Sequence, residues 1–298
     1  MFSRPYTDPD DLPLLLEFLR AAREPARLAD FPGLTDLEEI LADPATCAQT
    51  RLWFQAEGQM TGYGILTSYE NLLFESLPAA APTLDPEILA WGLALARAQG
   101  YLLVETSCPD ADLARQALLA QAGFSLEEET SLHYRRALQQ PIPAPSLPPG
   151  FSLRPLNGEA EAEAAAELHR AAFGTDYMSL ENRLAMMRTS AYDPRLDLVA
   201  VAPDGRLAAY TMGLISAAEN AVTGEKIGQT DPVATHPDFQ RLGLARALLL
   251  AGMQLLKERG LETARLGTSS ANLAMQKAAE AVGFVVVSRT LHYYRQVT

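Results

Sequence analysis

One feature narrows what this chain can fold into more than any other: it nearly repeats itself about a proline-rich hinge. Residues 139–150, Gln-Gln-Pro-Ile-Pro-Ala-Pro-Ser-Leu-Pro-Pro-Gly, hold five prolines. A fixed φ and a missing N–H at each proline bar helix and central strand, so this stretch is an extended, stiff linker. The halves on either side align. Phe2-Ser3-Arg4-Pro5 matches Phe151-Ser152-Leu153-Arg154-Pro155, and Leu19-Arg20-Ala21-Ala22 matches His169-Arg170-Ala171-Ala172 at an offset of 150. Apolar runs at Leu52–Ala56 and Leu198–Ala202 end in the turn pairs Glu57-Gly58 and Asp204-Gly205, and each reads as a hairpin. Gly100 and Gly260, Asp112-Leu113-Ala114 and Asn272-Leu273-Ala274, and Gly123-Phe124 and Gly283-Phe284 agree at an offset of 160. His133-Tyr134 and His292-Tyr293 close the two copies. The expected organisation is a domain at 1–138, a linker at 139–150 and a second domain at 151–298.

Within the second copy, residues 235–260 dominate. Pro237-Asp238 break the chain, Gly243 follows in a polar stretch, and from Leu244 an apolar run continues to Lys257-Glu258-Arg259 before Gly260. That pattern predicts a buried helix stopped by glycine. The first N–H groups of a helix lack internal partners and carry partial positive charge, and a glycine beside them admits an anion to the backbone. Gln240-x-x-Gly243-x-Ala245 resembles the pyrophosphate loop of the GNAT acetyltransferases, which binds the diphosphate of acetyl-coenzyme A. Asn272-Leu273-Ala274 leading to Gly283-Phe284, and a strand over 226–233 ahead of the loop, resemble that family's order of elements. The sequence lacks the Gly-Lys-Ser/Thr of a Walker loop and the glycine spacing of a dinucleotide fold.

The resemblance implies an α/β (α+β) protein of two tandem GNAT-like domains, each a mixed, mostly antiparallel sheet flanked by helices. It implies an acetyl-CoA-dependent N-acetyltransferase acting on the amine of a small molecule, with acetyl-CoA as co-substrate and no metal. A non-catalytic acyl-CoA sensor of the same fold is the alternative. Coenzyme contacts are expected from Val233, Ala234 and Thr235 on the strand, from Gln240, Arg241, Leu242, Gly243, Leu244 and Ala245 in the loop, and from Asn272. Family members often place a Glu base where Gln229 stands. Asp231, two residues on and on the same side of the strand, is the candidate base, with Glu219 and Glu225 behind it. The family's acid, a Tyr seven residues after the Asn, falls on Ala279 here. Tyr293 is the replacement named for the site, and Tyr294, Tyr210 and Ser269 are others.

Charge separates the copies. Residues 1–138 hold 21 acids against 9 bases, and residues 151–298 hold 16 against 15, within a total of −13. A polyanion meets no basic surface, so nucleic acid is excluded as a partner and the diphosphate is expected in the second half. The first copy reads Ala81-Pro82-Thr83-Leu84-Asp85-Pro86-Glu87 where the loop is expected. Asp85 and Pro86 look like an N-cap and first turn there, with acids filling the cradle. No apolar run approaches a membrane span, no leader is evident at Met1–Pro5, and the two cysteines have no metal spacing. A cytoplasmic monomer or homodimer is expected.

Overall fold

The computed structural model describes residues 1–7, 10–23, 27, 31–189 and 192–297. In the first half the order is β1 (Phe2–Pro5), α1 (Asp11–Ala22), α2 (Leu34–Ile40), α3 (Pro44–Ala48), β2 (Thr50–Phe54), β3 (Met60–Leu66), β4 (Leu72–Ser76), α4 (Ala81–Gln99), β5 (Leu103–Pro109), α5 (Leu113–Gln121) and β6 (Ser125–Ala137). The second half repeats it with β7 (Ser152–Pro155), α6 (Ala162–Phe173), α7 (Leu180–Met187), β8 (Tyr192–Val201) and β9 (Leu207–Leu214). Then come α8 (Ala217–Thr223), β10 (Ile227–Gln229), β11 (Val233–Thr235), α9 (Leu244–Glu258), β12 (Thr263–Ser269), α10 (Leu273–Glu280) and β13 (Val285–Gln296). The protein is a mixed α/β chain of largely antiparallel sheets flanked by helices.

Packing divides the chain into two compact units that do not coincide with the covalent repeat. One comprises Met1–Thr130, Ala221–Gly224 and Arg289–Thr298, the other Ser131–Asn220 and Glu225–Ser288. Each unit thus takes the end of its closing strand from the other half. In the first unit β1 to β4 run antiparallel in order, and β5 pairs antiparallel with Thr290–Gln296 of β13. In the second, β7, β8 and β9 are antiparallel neighbours, β9 pairs with both β10 and β11, β10 runs parallel to β12, and β12 pairs antiparallel with Ser131–Ala137 of β6. The repeat finds the strands by sequence, but their pairing is decided by which sheet edge they complete.

The core of the second unit explains its layers. Successive strand residues face opposite ways. Ala200, Ala209 and Leu198 lie under Leu244 and Leu248 of α9, whereas Val199, Tyr210, Met212 and Ala234 lie under Leu168 and Ala165 of α6. Helix α9 also buries Leu249, Leu250, Met253 and Leu256 against Ala264, Leu266 and Phe284. At about 25 cal/mol per Å2 of apolar surface, each such leucine contributes roughly 1.5–3 kcal/mol. Close approach needs Gly228, because a Cβ there would lie 2.5 Å from Leu256 and 2.6 Å from Leu261.

The first unit departs from the expected loop. Helix α4 starts at Ala81, with Ala80 as its N-cap and Pro86 inside it, so Asp85 and Pro86 sit past the first turn. Asp85 is buried, accepts a hydrogen bond from Ser76 and does not cap the helix. The apolar packing of Leu84, Ile88 and Leu89 draws the helix start back and overrides the local Asp-Pro signal.

Candidate active site

The site grows from the point where the chain, passing from β10 to β11, leaves β12. Ile227, Gly228 and Gln229 pair with Thr263, Ala264 and Arg265, and the Thr230 N–H donates to the Arg265 carbonyl at 3.0 Å. After that β11 pairs with β9 alone, Val233 opposite Thr211, Ala234 opposite Tyr210 and Thr235 opposite Ala209. The Met212 N–H donates to the Pro232 carbonyl at 3.2 Å, and the His236 N–H to the Ala208 carbonyl at 2.9 Å. Antiparallel partners exchange bonds at alternate residues, so Ala234 turns its N–H toward β9 while Val233 and Thr235 turn theirs into the gap. Two of the three strand residues expected to meet the coenzyme therefore offer a backbone donor there. Ala234 turns its N–H away.

Asp231 stands at the mouth of this gap. One carboxylate oxygen accepts from the Gly267 N–H of β12 at 3.2 Å, in place of the carbonyl a continued ladder would have supplied. The other, Oδ1, is buried without a partner. Burial pushes the carboxyl from its usual 3.8 up to about 6, against the Gly267 bond, the charge of Arg265 and a bond from the Gln229 side chain, all of which lower it. Such a group is ionised at neutral pH yet basic enough to take a proton. The other acids are engaged elsewhere: Glu219 is buried in an ion pair with Arg265 at 3.2 Å, and Glu225 pairs with Arg135 at 3.3 Å.

The loop runs from a short 3-10 turn at Pro237–Phe239 through Gln240, Arg241, Leu242 and Gly243 to α9. Arg241 and Gly243 both have positive φ, 64° and 80°, a pairing that curls successive N–H groups inward. No side chain caps α9, and a Cβ on Gly243 would meet nothing within 4 Å, so the space before Leu244 and Ala245 is open to an anion. Gln240, Arg241 and Leu242 are exposed along it. Arg246, also exposed and absent from the sequence expectations, stands one residue past Ala245. Asn272 caps α10 by accepting from the Met275 N–H at 3.0 Å. The residues present fit a diphosphate group.

The general-acid expectations fare differently. Tyr293 lies on the part of β13 that belongs to the first unit, opposite Thr106, with its ring buried beside Phe74, Leu89 and Cys108. The closing strand carries it into the core of the first unit, whereas Asp231 belongs to the second. Tyr294 lies on the same segment, opposite Glu105. Ala279 is fully buried among Val282, Phe284 and Leu249, so a tyrosine at that position has no room. The Ser269 hydroxyl accepts from the Ala271 N–H at 3.0 Å. Tyr210 is bonded through its hydroxyl to His169 Nδ1 at 2.6 Å, and burial holds its pKa well up.

That last contact belongs to a buried network the sequence reading missed. His169 Nε2 meets the Tyr177 hydroxyl at 3.1 Å, and behind Tyr210 the Arg183 guanidinium, itself ion-paired with Asp197, lies 5.7 Å from its ring. Burial, then the charges of Arg183 and Arg170, lower the His169 pKa and keep the imidazole neutral. The signal was in the repeat: His169 stands where the first copy has Leu19, a polar side chain at a core position.

Comparison with known proteins bears on the fold and the family. Residues 162–284 match the profile of the acetyltransferase (GNAT) family. A mycothiol acetyltransferase of Thermobispora bispora is 33% identical over 178 residues, which cover 58% of this chain and 59% of that protein. One from Cellulomonas flavigena matches over 51% of its length, so the chain spans only half to three-fifths of these relatives. A mycothiol acetyltransferase of Salinispora arenicola is 27% identical over 97% of this chain and 94% of its own. Among solved structures, a tandem GNAT protein from the clavulanic acid biosynthesis pathway superposes with a TM-score of 0.77 at 18% identity, covering 99% of this chain and 98% of that one. A GCN5-related N-acetyltransferase from Sphaerobacter thermophilus gives 0.76 at 21%, covering 99% and 95%. At such identities the structures speak for the fold alone.

Proposed function

We propose that the chain acts as a GNAT acetyltransferase, the family whose profile matches residues 162–284, and that it moves an acetyl group from acetyl-CoA to the amine of a small molecule, at a site in residues 151–298. The observation that supports this reading is Asp231, a half-buried carboxyl with a raised pKa set beside two unclaimed strand N–H groups. The relatives named mycothiol acetyltransferases favour a small-molecule acceptor over a protein one.

Each residue then has a role. The N–H groups at the start of α9, led by Gly243, hold the diphosphate, with Arg241 and Arg246 adding positive charge. Asp231 accepts the proton the attacking ammonium sheds, which frees the nitrogen lone pair. The Val233 and Thr235 N–H groups take up the negative charge that gathers on the carbonyl oxygen as the nitrogen–carbon bond forms. When the carbon–sulfur bond breaks, the thiolate is a fair leaving group and takes its proton from water. Among the described residues, the first unit shows no counterpart of that loop. Its connection from Ser76 to Ala81 is short, and Ala80 in right-handed conformation stands where a left-handed glycine is needed.

The experiment is to follow free thiol release from acetyl-CoA with a panel of small amines, and to identify the acetylated amine by mass spectrometry. Amide product with at least one amine is expected. Tight acetyl-CoA binding with no product from any amine would favour the sensor instead.

A further inference from the structure

We propose that the first unit contains a binding site of its own, a recess built on Arg115, Arg23 and Glu75 that takes a small molecule through an oxyanion, either a carboxylate or a phosphate. Strands β4 and β5 touch only at their beginnings, through the Asn71–Glu105 bridge and the Thr106 hydroxyl, which donates to the Leu72 carbonyl at 2.8 Å. Beyond that they part. An open recess lies between Leu72–Glu75 and Ser107–Pro109, with Arg23, Arg27 and Arg115 on its walls.

The chemistry of the walls points to an anion. Arg23 is satisfied, donating to Glu75 at 3.0 Å and to the Pro32 carbonyl at 2.9 Å. Arg115 is not. Its guanidinium is largely buried and lies over the Phe74 ring at 4.3 Å, and among the described residues only one of its five N–H donors makes a hydrogen bond, to the Phe74 carbonyl at 3.0 Å. Glu75, Asp85 and Asp112 form ion pairs with it at 3.7–3.9 Å, beyond hydrogen-bond length, and Nε makes no hydrogen bond among the described residues. Two of these carboxylates already have closer partners, Glu75 in Arg23 and Asp85 in the Ser76 hydroxyl. Burial also pushes the Asp85 carboxyl up, which favours its neutral form. Desolvated donors left idle are costly, and a planar guanidinium held flat on a ring offers a two-pronged, charge-assisted grip to an oxyanion.

The distribution of charge agrees. Residues 1–138 carry 21 acids against 9 bases, yet three of those nine bases converge on this recess.

The test uses the full chain carrying Gly243→Asp, so that phosphate has no cradle in the second unit, with the unaltered chain alongside. Succinate, inorganic phosphate and the neutral succinamide are titrated by calorimetry and by thermal unfolding. Saturable binding of succinate or phosphate near one per chain is expected, with no response to succinamide, and the tighter of the two anions names the class. Arg115→Met should abolish binding, and Arg115→Lys, which keeps the charge but loses the planar fork, should weaken it about tenfold. If the methionine variant does not fold, the lysine variant decides. No saturable response to either anion, or unchanged affinity in a folded Arg115→Lys variant, would overturn the site.

Discussion

Replacing Asp231 by asparagine should make the protein more stable and less active at the same time. Burial raises the carboxyl from the usual 3.8 to about 6, so the folded state holds this proton more tightly than the unfolded chain does. Between those two pH values stability therefore falls as pH rises, and above about 6 the full deficit is present. A difference of this size corresponds to about 3 kcal/mol. Asparagine is isosteric, carries no charge and still accepts from the Gly267 N–H, although the bond is weaker by about 1 kcal/mol without the charge. The net expectation at pH 7.5 is a gain of about 2 kcal/mol, or roughly 4–8 °C in the unfolding temperature of a unit of this size. At pH 4 the wild-type carboxyl is protonated in the fold and the gain vanishes. Thermal unfolding of both proteins at the two pH values measures this, and turnover of the variant should fall about 100-fold or more. A variant no more stable at pH 7.5 than the wild type, or one with normal turnover, would refute the reasoning.

Gly243→Asp should lower acetyl-CoA affinity by about 100-fold in calorimetry while costing only about 1–2 kcal/mol of stability, because it sets a carboxylate before the helix and forces a side chain to φ 80°. Gly228→Ala should destabilise by about 1–3 kcal/mol in denaturant unfolding, as its Cβ collides with Leu256 and Leu261. Tyr293→Phe should leave turnover unchanged within about twofold in steady-state assay, since the ring packs in the first unit and the hydroxyl is not part of the proposed chemistry. The wild-type rate should rise with pH through a single ionisation near 6, without the descending limb an essential acid would produce.

Much of the fold was legible because it is local. The strands at Phe2–Pro5 and Ser152–Pro155, helix α1 at Asp11–Ala22 and helix α9 from Leu244 all follow from periodicity, turn residues and glycine stops. Asn272 and Asp112 both cap their helices as their side-chain chemistry requires. What the sequence hid is non-local. His133-Tyr134 and His292-Tyr293 align as the closing strands of two copies, but alignment carries no information on which sheet edge each completes, so the packing of Tyr293 in the first unit was not legible. The start of α4 was misread because Asp85-Pro86 is a strong local signal, and only the burial of Leu84 and Ile88 outweighs it. Arg115 gave no signal at all, since its importance rests on the hydrogen bonds it fails to make.

The most direct test of the account is an experimental structure of the chain with acetyl-CoA bound. One coenzyme per chain is predicted, with its diphosphate against the N–H groups of Gly243, Leu244 and Ala245 and its thioester carbonyl between β11 and β12, within reach of the Val233 or Thr235 N–H and of Asp231. A coenzyme seated in the first unit, or one in the second unit whose thioester lies away from Asp231, would contradict it.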